Sequence, residues 1–493
     1  MKSHVVTNLL VFAALSGLPA FATNVSGDQS GTWTLAGSPY LLVGDVRVPP
    51  GLTLAIEPGV VVNAQGYYKI SVEQGTLLAI GTADQPILMT ADNHTTGWRG
   101  VRLVTANNAT AIRHCIIEYA KGTGSYPGVR GGAIFCQNCS PTITHNELRY
   151  NYSHNTNQNG AGAGVLTETS DALIEDNYIH DNQADSGGGI CITEYGTPRV
   201  RRNLIAYNTG YYAGGGMYFG ARSSPLVEQN ILLHNTAGGW GGGGINSWTS
   251  YIYYGTYATV RNNVIAHNNG PAGGAASGGG GIYCRYDRAI LTGNTISDNY
   301  AGAGGGIYAL NYYAQSPLVT NCIVWGNTGT SGDQIYLYAQ SCGSGIEVSY
   351  SNVQGGWTGT GNIDEDPLFV APGSDDYHLA FGSGCIYRGD PGFVPVAGER
   401  DMDNQRRVWD GGGTDAPRVD MGADEYGSFA VGDMNCDGVI SFDDINAFVL
   451  ALSDPPAYQA AYPDCYWLNG DCDEDGDVDF DDINPFVGIL SGA

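Results

Sequence analysis

The sequence predicts a mainly β chain in which a long solenoid is followed by a small helical domain. Pairs of asparagines five residues apart return every 26 to 33 residues through the middle of the chain. A run of glycines ending in Ile or Met follows most of these pairs, and two acidic twelve-residue stretches stand near the C-terminus. A repeat of roughly 20 to 50 residues indicates units that bury apolar surface only against their neighbours.

Residues 1–22 have the pattern of a secretory signal peptide. A basic start with Lys2 precedes an apolar run, and the small residues Ala20 and Ala22 frame a cleavage site. We therefore expect an exported protein that begins at Thr23 and is secreted or held at the cell surface. No other stretch is apolar enough to span a bilayer, so direct membrane insertion is not expected.

The formal net charge of −27 argues against nucleic acid as a partner, because the phosphate backbone would be repelled. The charge is uneven along the chain. Residues 428–493 contain 14 acidic residues and no Lys or Arg. This asymmetry predicts a separate acidic domain at the C-terminus.

Residues 23–110 and 111–341 are expected to form one continuous solenoid. In 41–103, short β-branched runs alternate apolar and polar residues between turn signals, which predicts the first coils and a cap. Residues 111–341 contain eight repeat units without helical spacing of apolar residues. Stacked coils of short parallel strands follow, which is a right-handed parallel β-helix with strands about 4.8 Å apart along the axis.

The asparagines are predicted to stack as ladders at two bends of each coil. Each amide would hydrogen-bond to its equivalent one coil away, since an unpaired buried amide costs about 1–3 kcal/mol. Cys115 and Cys322 take the asparagine position at the two ends of the first row. The two rows consist of Asn146, Asn177, Asn203, Asn230, Asn263 and Asn294, and of Asn151, Asn182, Asn208, Asn235, Asn268 and Asn299.

The glycine triplets are interpreted as turns that need positive φ or that pass too close to the next coil for a side chain. The alternative, a phosphate-binding loop, requires a GK[ST] sequence between a strand and a helix, which is missing. Among the 11 cysteines, Cys136 and Cys139 are spaced as CxxC, which suggests a local disulfide or free thiols. Cys436, Cys465 and Cys472 are expected to include one disulfide.

The repeats in 111–341 resemble the right-handed parallel β-helix repeat proteins, a shape shared with pectate lyases and with bacterial surface proteins. Residues 342–427 contain DEDPLFVAPGSDDYHLAFGSGCIYRGD and DMDNQRRVWDGGGTDAPRVDMGADEY. These stretches resemble the "choice-of-anchor Q" segment that closes many such β-helices. The resemblance implies that a surface-attachment module follows this closing segment.

Residues 428–493 contain two calcium loops, DMNCDGVISFDD and DCDEDGDVDFDD. Hard oxygen ligands at positions 1, 3, 5, 9 and 12, a backbone carbonyl at position 7 and a glycine at position 6 are what Ca²⁺ requires. We therefore expect two bound Ca²⁺ ions. The predicted ligands are Asp433, Asn435, Asp437, Val439, Ser441 and Asp444 in the first loop, and Asp471, Asp473, Asp475, Asp477, Asp479 and Asp482 in the second.

Asp at position 12 makes these loops resemble those of dockerins, which are EF-hand-like modules, and the resemblance implies a cohesin-like protein partner. The sequence departs from the family at positions 10 and 11, where Phe-Asp replaces the usual small hydroxyl residues. Apolar residues at i, i+4 and i+7 follow each loop and predict two helices that pack on each other through this face. They are Ile445, Val449 and Leu452, and Ile483, Val487 and Leu490.

Two functions of the solenoid remain open, and the first is binding of an extracellular polysaccharide or matrix. Aromatic side chains fill the variable turns, and their faces can stack on sugar rings. The same rings could instead pack against each other on the outside of the coils. They are Tyr211, Tyr212, Tyr218, Trp240, Trp248, Tyr251, Tyr253, Tyr254, Tyr257, Tyr283, Tyr286, Tyr308, Tyr312 and Tyr313.

The second function is a polysaccharide lyase or glycoside hydrolase, which would need acids and bases in one groove. No catalytic motif assigns such residues, so the catalytic residues stay unknown. One row beside the second asparagines consists of Tyr150, Asp181, Tyr207, His234, His267 and Asp298. The other acids and bases considered are Glu168, Asp171, Glu175, Asp176, Asp185, Glu194, Arg199, Arg201, Arg202, Arg285, Asp287 and Arg288.

Overall fold

The computed structural model describes residues 22–493 except for 125, 127, 221, 249–256, 274–277, 287, 312–315, 340–344, 409–417, 428–429, 463–464, 466, 474–476 and 492–493. Residues 1–21 of the predicted signal peptide therefore lie outside the described residues, as do the predicted ligand Asp475 and the residues Asp287, Tyr251, Tyr253, Tyr254, Tyr312 and Tyr313.

The chain forms a parallel β-helix, as the repeat predicts. Every coil contributes one short strand to each of three long parallel sheets, and equivalent strands of successive coils pair in register. Sheet 1 precedes the first asparagine of each coil. Its strands are Gly31–Trp33, Thr53–Ile56, Thr76–Ile80, Ala111–Arg113, Thr142–Thr144, Leu173–Glu175, Arg199–Arg201, Leu226–Glu228, Thr259–Arg261, Ile290–Thr292, Leu318–Thr320 and Glu347–Ser349.

Sheet 2 lies between the two asparagines of each coil. Its strands are Thr23–Asp28, Tyr40–Val48, Val61–Ala64, Ile87–Ala91, Cys115–Glu118, Glu147–Arg149, Tyr178–His180, Leu204–Ala206, Ile231–Leu233, Val264–Ala266, Thr295–Ser297, Ile323–Trp325 and Asn352–Val353.

Sheet 3 follows the glycine runs and shares the long strand Tyr40–Val48 with sheet 2. Its other strands are Ile70–Glu73, Val101–Val104, Ile134–Gln137, Val165–Glu168, Ile190–Thr193, Met217–Phe219, Ile245–Trp248, Ile282–Arg285, Ile307–Asn311 and Ile335–Ala339. A short row beside sheet 2 consists of Lys121–Gly122, Tyr152–Ser153, Gln183–Ser186, Thr209–Ala213, Thr236–Ala237, Tyr300–Ala303 and Thr328–Ser331.

The asparagine ladders have the predicted geometry. Asn235 is fully buried, and its Nδ2 donates to the carbonyl of Ile205 at 2.8 Å and to Oδ1 of Asn268 at 3.0 Å. The first ladder ends at Cys322, whose sulfur accepts from the backbone N–H of Asn294 at 3.4 Å. The second ladder continues through Asn327 to Gln334, whose Oε1 accepts from Asn327 at 2.8 Å. Each coil is thus fixed to the next by polar groups that water does not reach.

The glycine runs combine both predicted constraints. Gly242 has φ of +74°, a left-handed conformation that favours glycine. The next residue, Gly243, has no space for a side chain, since a Cβ there would meet the carbonyl oxygen of Gly280 at 2.5 Å. The turns before sheet 3 are therefore close-packed backbone.

The core of the β-helix is one apolar cluster that extends from Val25 to Val353. Cys136 and Cys139 lie in it as buried free thiols, so the CxxC pair is not a disulfide. The three sheets place Leu, Ile and Val inward on every coil because residues alternate between the two faces of a strand.

The closing segment folds back along the outer face of sheet 2. Its antiparallel pair, Phe369–Ala371 and Asp376–Leu379, packs with later turns against the coils between Leu204 and Trp325. Arg261 forms an ion pair with Glu399 at 3.0 Å, and Thr295 Oγ1 accepts from Ala423 N at 3.0 Å. We call the described residues of 365–426 the strap. The strap covers part of the outer face of sheet 2.

The C-terminal residues form a small helical unit. The helices are α1 (Ile445–Ser453), α2 (Pro455–Ala461) and α3 (Ile483–Ser491). Short 3-10 turns are Phe442–Asp444, Trp467–Gly470 and Phe480–Asp482 here, and Leu35–Gly37 and Pro372–Ser374 earlier. One disulfide joins Cys436 and Cys465, as expected, and leaves Cys472 free.

The predicted packing face of the helices is only partly right, because Leu452 and Leu490 pack against the buried cluster of this unit and the other four residues are exposed. Val449 and Val487 are each more than half exposed, and Ile445 and Ile483 are also exposed. The helices instead meet through Phe448 and Phe486, whose rings stack 4.0 Å apart. The spacing of i, i+4 and i+7 identified an apolar face. The residues through which the two helices contact each other lie one position earlier, at Phe448 and Phe486.

None of the helices in the described part of the chain has the length and apolar character that a membrane crossing requires.

Candidate functional site

The outer face of sheet 3 carries both aromatic and basic side chains. In each strand the second and fourth residues point outward, because the first and third face the core. Register places Arg102 beside Phe135, Cys191 beside Tyr218, and Trp248 beside Arg285. We call this face the sheet 3 groove.

The N-terminal end of the sheet 3 groove is basic. A cavity of about 280 Å³ is lined by the cationic residues Lys69, Arg99, Arg102 and Arg130, and by the two carboxylates of Glu73 and Glu168. Arg102 is buried and donates to the carbonyl oxygens of Arg130 and Gly131 at 3.0 and 2.8 Å. Burial, together with the nearby Arg99, lowers the pKa of Arg102 to about 10. Buried positive charge at this end favours an anionic ligand.

A second cavity of about 310 Å³ adjoins the first and shares Tyr126 and Arg130 with it. Its walls include Thr193, Tyr218 and Trp248 from three successive coils. Burial raises the pKa of the Cys191 thiol at its floor to about 12 and also raises the pKa of Tyr218, so both groups keep their protons. This part of the groove offers ring faces and neutral polar groups.

Aromatic rings surround one arginine beyond this cavity. The Arg285 guanidinium lies 5.0 Å from the ring of Trp240, 4.9 Å from Trp248 and 5.0 Å from Tyr286. Cation–π contacts of this kind hold the rings in place while leaving Trp240 two-fifths exposed. The groove therefore continues from a basic end into an aromatic end.

The predicted aromatic set divides between the two interpretations. Tyr283 and Tyr308 are fully buried and stack 5.1 Å apart, as packing rings would. Tyr211, Trp240 and Tyr257 are exposed, as a binding surface requires. The sequence does not distinguish the buried rings from the exposed ones, because all of them occupy glycine-rich turns or the strands that follow.

Many of the predicted acids and bases are structural ion pairs. Glu228 bridges Arg199 and Arg261 at 2.6 and 2.7 Å on sheet 1. Arg202 pairs with Glu175 at 2.6 Å and with Asp176 at 2.9 Å. These groups lie at the bend beside sheet 1, so they do not converge with the sheet 3 groove.

The residues that precede the second asparagines lie at the bend after sheet 2. The last three of them, His234, His267 and Asp298, lie under the strap. The residues of this row have positive φ, for example +55° at His234 and +54° at His267. The two imidazole rings stack 5.1 Å apart, and Tyr377 of the strap donates its hydroxyl to Asp298 at 2.9 Å. The strap contacts give this part of the row a packing role.

Two of the carboxylates considered in the sequence do line the sheet 3 groove. Glu168 forms an ion pair with Arg130 and accepts from Gln137 Nε2 at 2.9 Å, while Glu194 lines the second cavity. Near them, the buried Asp185 contacts Nδ1 of His154 and accepts from Gly160 N at 2.7 Å. The imidazole of His154 packs on Tyr211 at 4.5 Å.

No sequence pattern marked His154, Arg102 or Arg130 as candidate site residues. His154 belongs to the loop between an asparagine and a glycine run, where no periodic signal marks it. Arg102 could have been found, because it is the second residue of a strand that follows Gly100, the outward position of the groove.

The second of the two predicted calcium loops brings several of its predicted ligands together. In the second loop, oxygens of Asp471, Asp473 and Asp482 lie within 4.8 Å of one another, and so do oxygens of Asp477, Asp479 and Asp482. Asp471 Oδ1 is buried without a hydrogen-bond partner among the described atoms. An unsatisfied buried carboxylate oxygen in an acidic loop fits a hard cation such as Ca²⁺.

In the first loop, backbone N–H groups and side chains hold the predicted ligands in a turn. Asp433 Oδ2 accepts from Gly438 N at 2.9 Å, and Asp444 Oδ1 accepts from Met434 N at 2.8 Å. Asn435 and Asp437 face the same turn, joined by a hydrogen bond of 3.2 Å. Val439 is held by its N–H, which donates to Asp437 at 2.8 Å. Ser441 caps the following 3-10 turn together with Asp444.

Comparison with known proteins identifies the family. The model of the right handed beta helix region matches residues 99–249 and 241–360, which together are more than half of the chain. The chain therefore belongs to this family of right-handed β-helix proteins. A pectate-lyase-like beta helix domain model also matches residues 27–122. No curated protein matches the chain.

Among solved structures, the alginate lyase from Paenibacillus sp. str. FPU-7 is similar over 60% of this chain and 94% of its own length. The two chains share 13% sequence identity with a TM-score of 0.24. A similarity of this level carries no argument about substrate or chemistry.

Proposed function

We propose that this protein is an exported β-helix protein that binds an extracellular polysaccharide or matrix along the sheet 3 groove. The observation that carries the proposal is the arrangement of the groove, in which cationic side chains at one end continue into aromatic faces at the other. Aromatic faces suit sugar rings, and the guanidinium groups suit carboxylate or sulfate substituents. The groove crosses several coils, so it suits an extended chain better than a small molecule.

Retention on immobilised glycans tests this function. We expect acidic polysaccharides to be retained more strongly than neutral ones, and Trp248→Ala to reduce the affinity about tenfold by removing one stacking face. Tyr178→Ala is the matched control, since this exposed tyrosine lies on sheet 2 and should leave binding unchanged. Equal retention of both variants would refute binding at the groove.

The second candidate function is a polysaccharide lyase or glycoside hydrolase. The pairing of His154 with the buried Asp185 beside the groove favours it, because a carboxylate that orients an imidazole makes it a better general base. We expect incubation with polyuronates and neutral glycans to give neither unsaturated products nor new reducing ends. Product that disappears in His154→Gln would instead establish the enzyme.

We propose that the C-terminal unit is a dockerin-like module with two Ca²⁺ ions that attaches the protein to a cohesin-like partner. The exposed residues Phe442 and Phe480, with the exposed side chains of α1 and α3, form two equivalent apolar faces at the ends of the loops. Apolar faces at equivalent positions suit protein contacts. Binding to cohesin domains in Ca²⁺, its loss in EGTA and its loss in a Phe442→Ser, Phe480→Ser double variant test the attachment.

Export is part of the proposal. It is supported by the residue pattern of 1–22, and N-terminal sequencing of the mature protein should give Thr23 as the first residue.

A further inference from the structure

A histidine and two aspartates meet in the strap, outside the two predicted calcium loops. One ligand atom from each of His378, Asp403 and Asp424 lies within 4.8 Å of the others. His378 belongs to the strand Asp376–Leu379, Asp403 to the turn after Asp401, and Asp424 to the last turn of the strap. Three separate parts of the strap thus converge on one point.

The surroundings hold these side chains in fixed positions. Nδ1 of His378 contacts Asp376 Oδ1 at 2.5 Å, which leaves Nε2 facing Asp403 Oδ2 at 2.5 Å. Asp424 is buried, and its Oδ2 accepts from Leu379 N at 2.7 Å. Proteins orient a metal-binding histidine through a carboxylate on the ring nitrogen that does not bind the metal, and Asp376 holds that position on His378.

The turn that carries Asp403 is built around a fourth aspartate. The fully buried Asp401 accepts from Asp403 N at 3.0 Å and from Gln405 N at 2.7 Å through Oδ1, and from Glu425 N at 3.3 Å through Oδ2. Asp401 therefore joins the turn of Asp403 to the turn of Asp424. The convergence of the three side chains is set by the backbone.

We propose that His378, Asp403 and Asp424 bind a divalent transition-metal ion of the Zn²⁺ type, with Asp376 as the positioning residue for the imidazole. One imidazole and two carboxylates suit Zn²⁺, whereas Ca²⁺ takes oxygen ligands. The ion would join three parts of the strap to one another. Asp403 also lines a cavity of about 320 Å³ against the coil residues Arg202 and Ile231, so a water molecule can complete the coordination from that side.

Metal binding to the full-length chain tests the site. The protein is first stripped with EDTA and returned to excess Ca²⁺ so that the acidic loops are filled, and Zn²⁺ is then titrated by calorimetry. We expect one Zn²⁺ per chain. His378→Gln should reduce the affinity about 100-fold or more, and Asp376→Asn about 10- to 100-fold through loss of the orienting carboxylate.

His234→Gln is the matched control, because His234 also faces a strap aspartate, Asp375, at 3.5 Å, but belongs to a coil. It should bind Zn²⁺ like the unaltered protein. Co²⁺ provides a spectroscopic readout, since visible absorption bands in the unaltered chain should be lost in His378→Gln and altered in Asp376→Asn. If His378→Gln does not fold, Asp403→Asn replaces it, because Asp403 is partly exposed.

Zinc that binds equally to the unaltered protein and to His378→Gln would overturn the proposal. The absence of stoichiometric zinc from the unaltered protein would overturn it as well. A result of either kind leaves the proposed glycan binding unaffected, because the sheet 3 groove lies on another face of the coils.

Discussion

The coils of the β-helix and the C-terminal module differ in how their buried polar and charged groups are compensated. In the coils, a continuous apolar cluster and two asparagine ladders satisfy buried groups entirely within the chain. In the module, the apolar cluster contains eight buried residues among those that the structure describes, and carboxylates converge in the second loop. The buried polar groups of the coils find partners in neighbouring coils, whereas we propose that the module binds cations that compensate its charge.

This difference explains why the acidic excess of the chain is tolerable. A coil adds one strand to each sheet and gains contacts on both sides, so its stability grows with the number of repeats. The module contains only two loop–helix halves, and like charges within a few ångströms repel one another unless an ion is bound. We therefore expect the two regions to respond very differently to the same treatments.

Removal of calcium should produce the largest difference between the regions. We expect EGTA to abolish hydrogen-exchange protection of the amides in α1 and α3, because binding energy of the ions is part of the folding energy of such a module. Amides of sheets 1 to 3 should keep their protection.

Asp454→Ala is the control for this experiment, since Asp454 caps α2 by accepting from Ala457 N at 3.1 Å and lies outside both loops. This variant should remain calcium-dependent. Protection of α1 and α3 that persists in EGTA would remove the contrast between the regions.

An interruption of the asparagine ladder should have the next largest effect, and this effect should appear in the coils. Asn235→Ala removes bonds to Ile205, Asn208 and Asn268 and leaves buried groups unpaired on both neighbouring coils. We expect a loss of about 2–4 kcal/mol in the free energy of unfolding of the coils, measured by denaturant titration.

Cys322→Ala at the end of the first ladder provides the comparison. Its sulfur contacts the ladder on one side only, through Asn294 at 3.4 Å, so we expect a loss of about 1 kcal/mol. Equal losses in the two variants would show that the ladder does not act as a stack.

Much of the coil geometry could be predicted because it is local and periodic. The asparagines mark the bends, and the glycines mark the positions where φ is positive or where a carbonyl of the next coil approaches, as at Gly243. The spacing of the predicted calcium ligands is local, and oxygens of several of them in the second loop lie close together. The asparagine and glycine signals instead recur at the length of a coil, so each residue meets its equivalent on the next coil.

The rest depends on contacts between distant residues. No pattern shows that the strap lies on sheet 2, because Ala423 of the strap and Thr295 of sheet 2 meet across 128 residues. For the same reason the sequence could not show that His234 and His267 are near the strap, or that Lys69, Arg99 and Arg102 line one cavity. Periodicity identifies the outward position on a strand but not what covers it.

The smallest effect is expected at the helix face that the apolar spacing selected. Val449 is more than half exposed on α1, so Val449→Ser should change the free energy of unfolding of the calcium-bound module by less than about 0.5 kcal/mol. The adjacent Phe448 is buried and stacks on Phe486 at 4.0 Å, and Phe448→Ala should cost about 3–5 kcal/mol. Thermal unfolding in Ca²⁺ measures both variants. The opposite ranking would mean that α1 and α3 pack through Ile445, Val449, Ile483 and Val487, and that the module presents its phenylalanines to a partner instead.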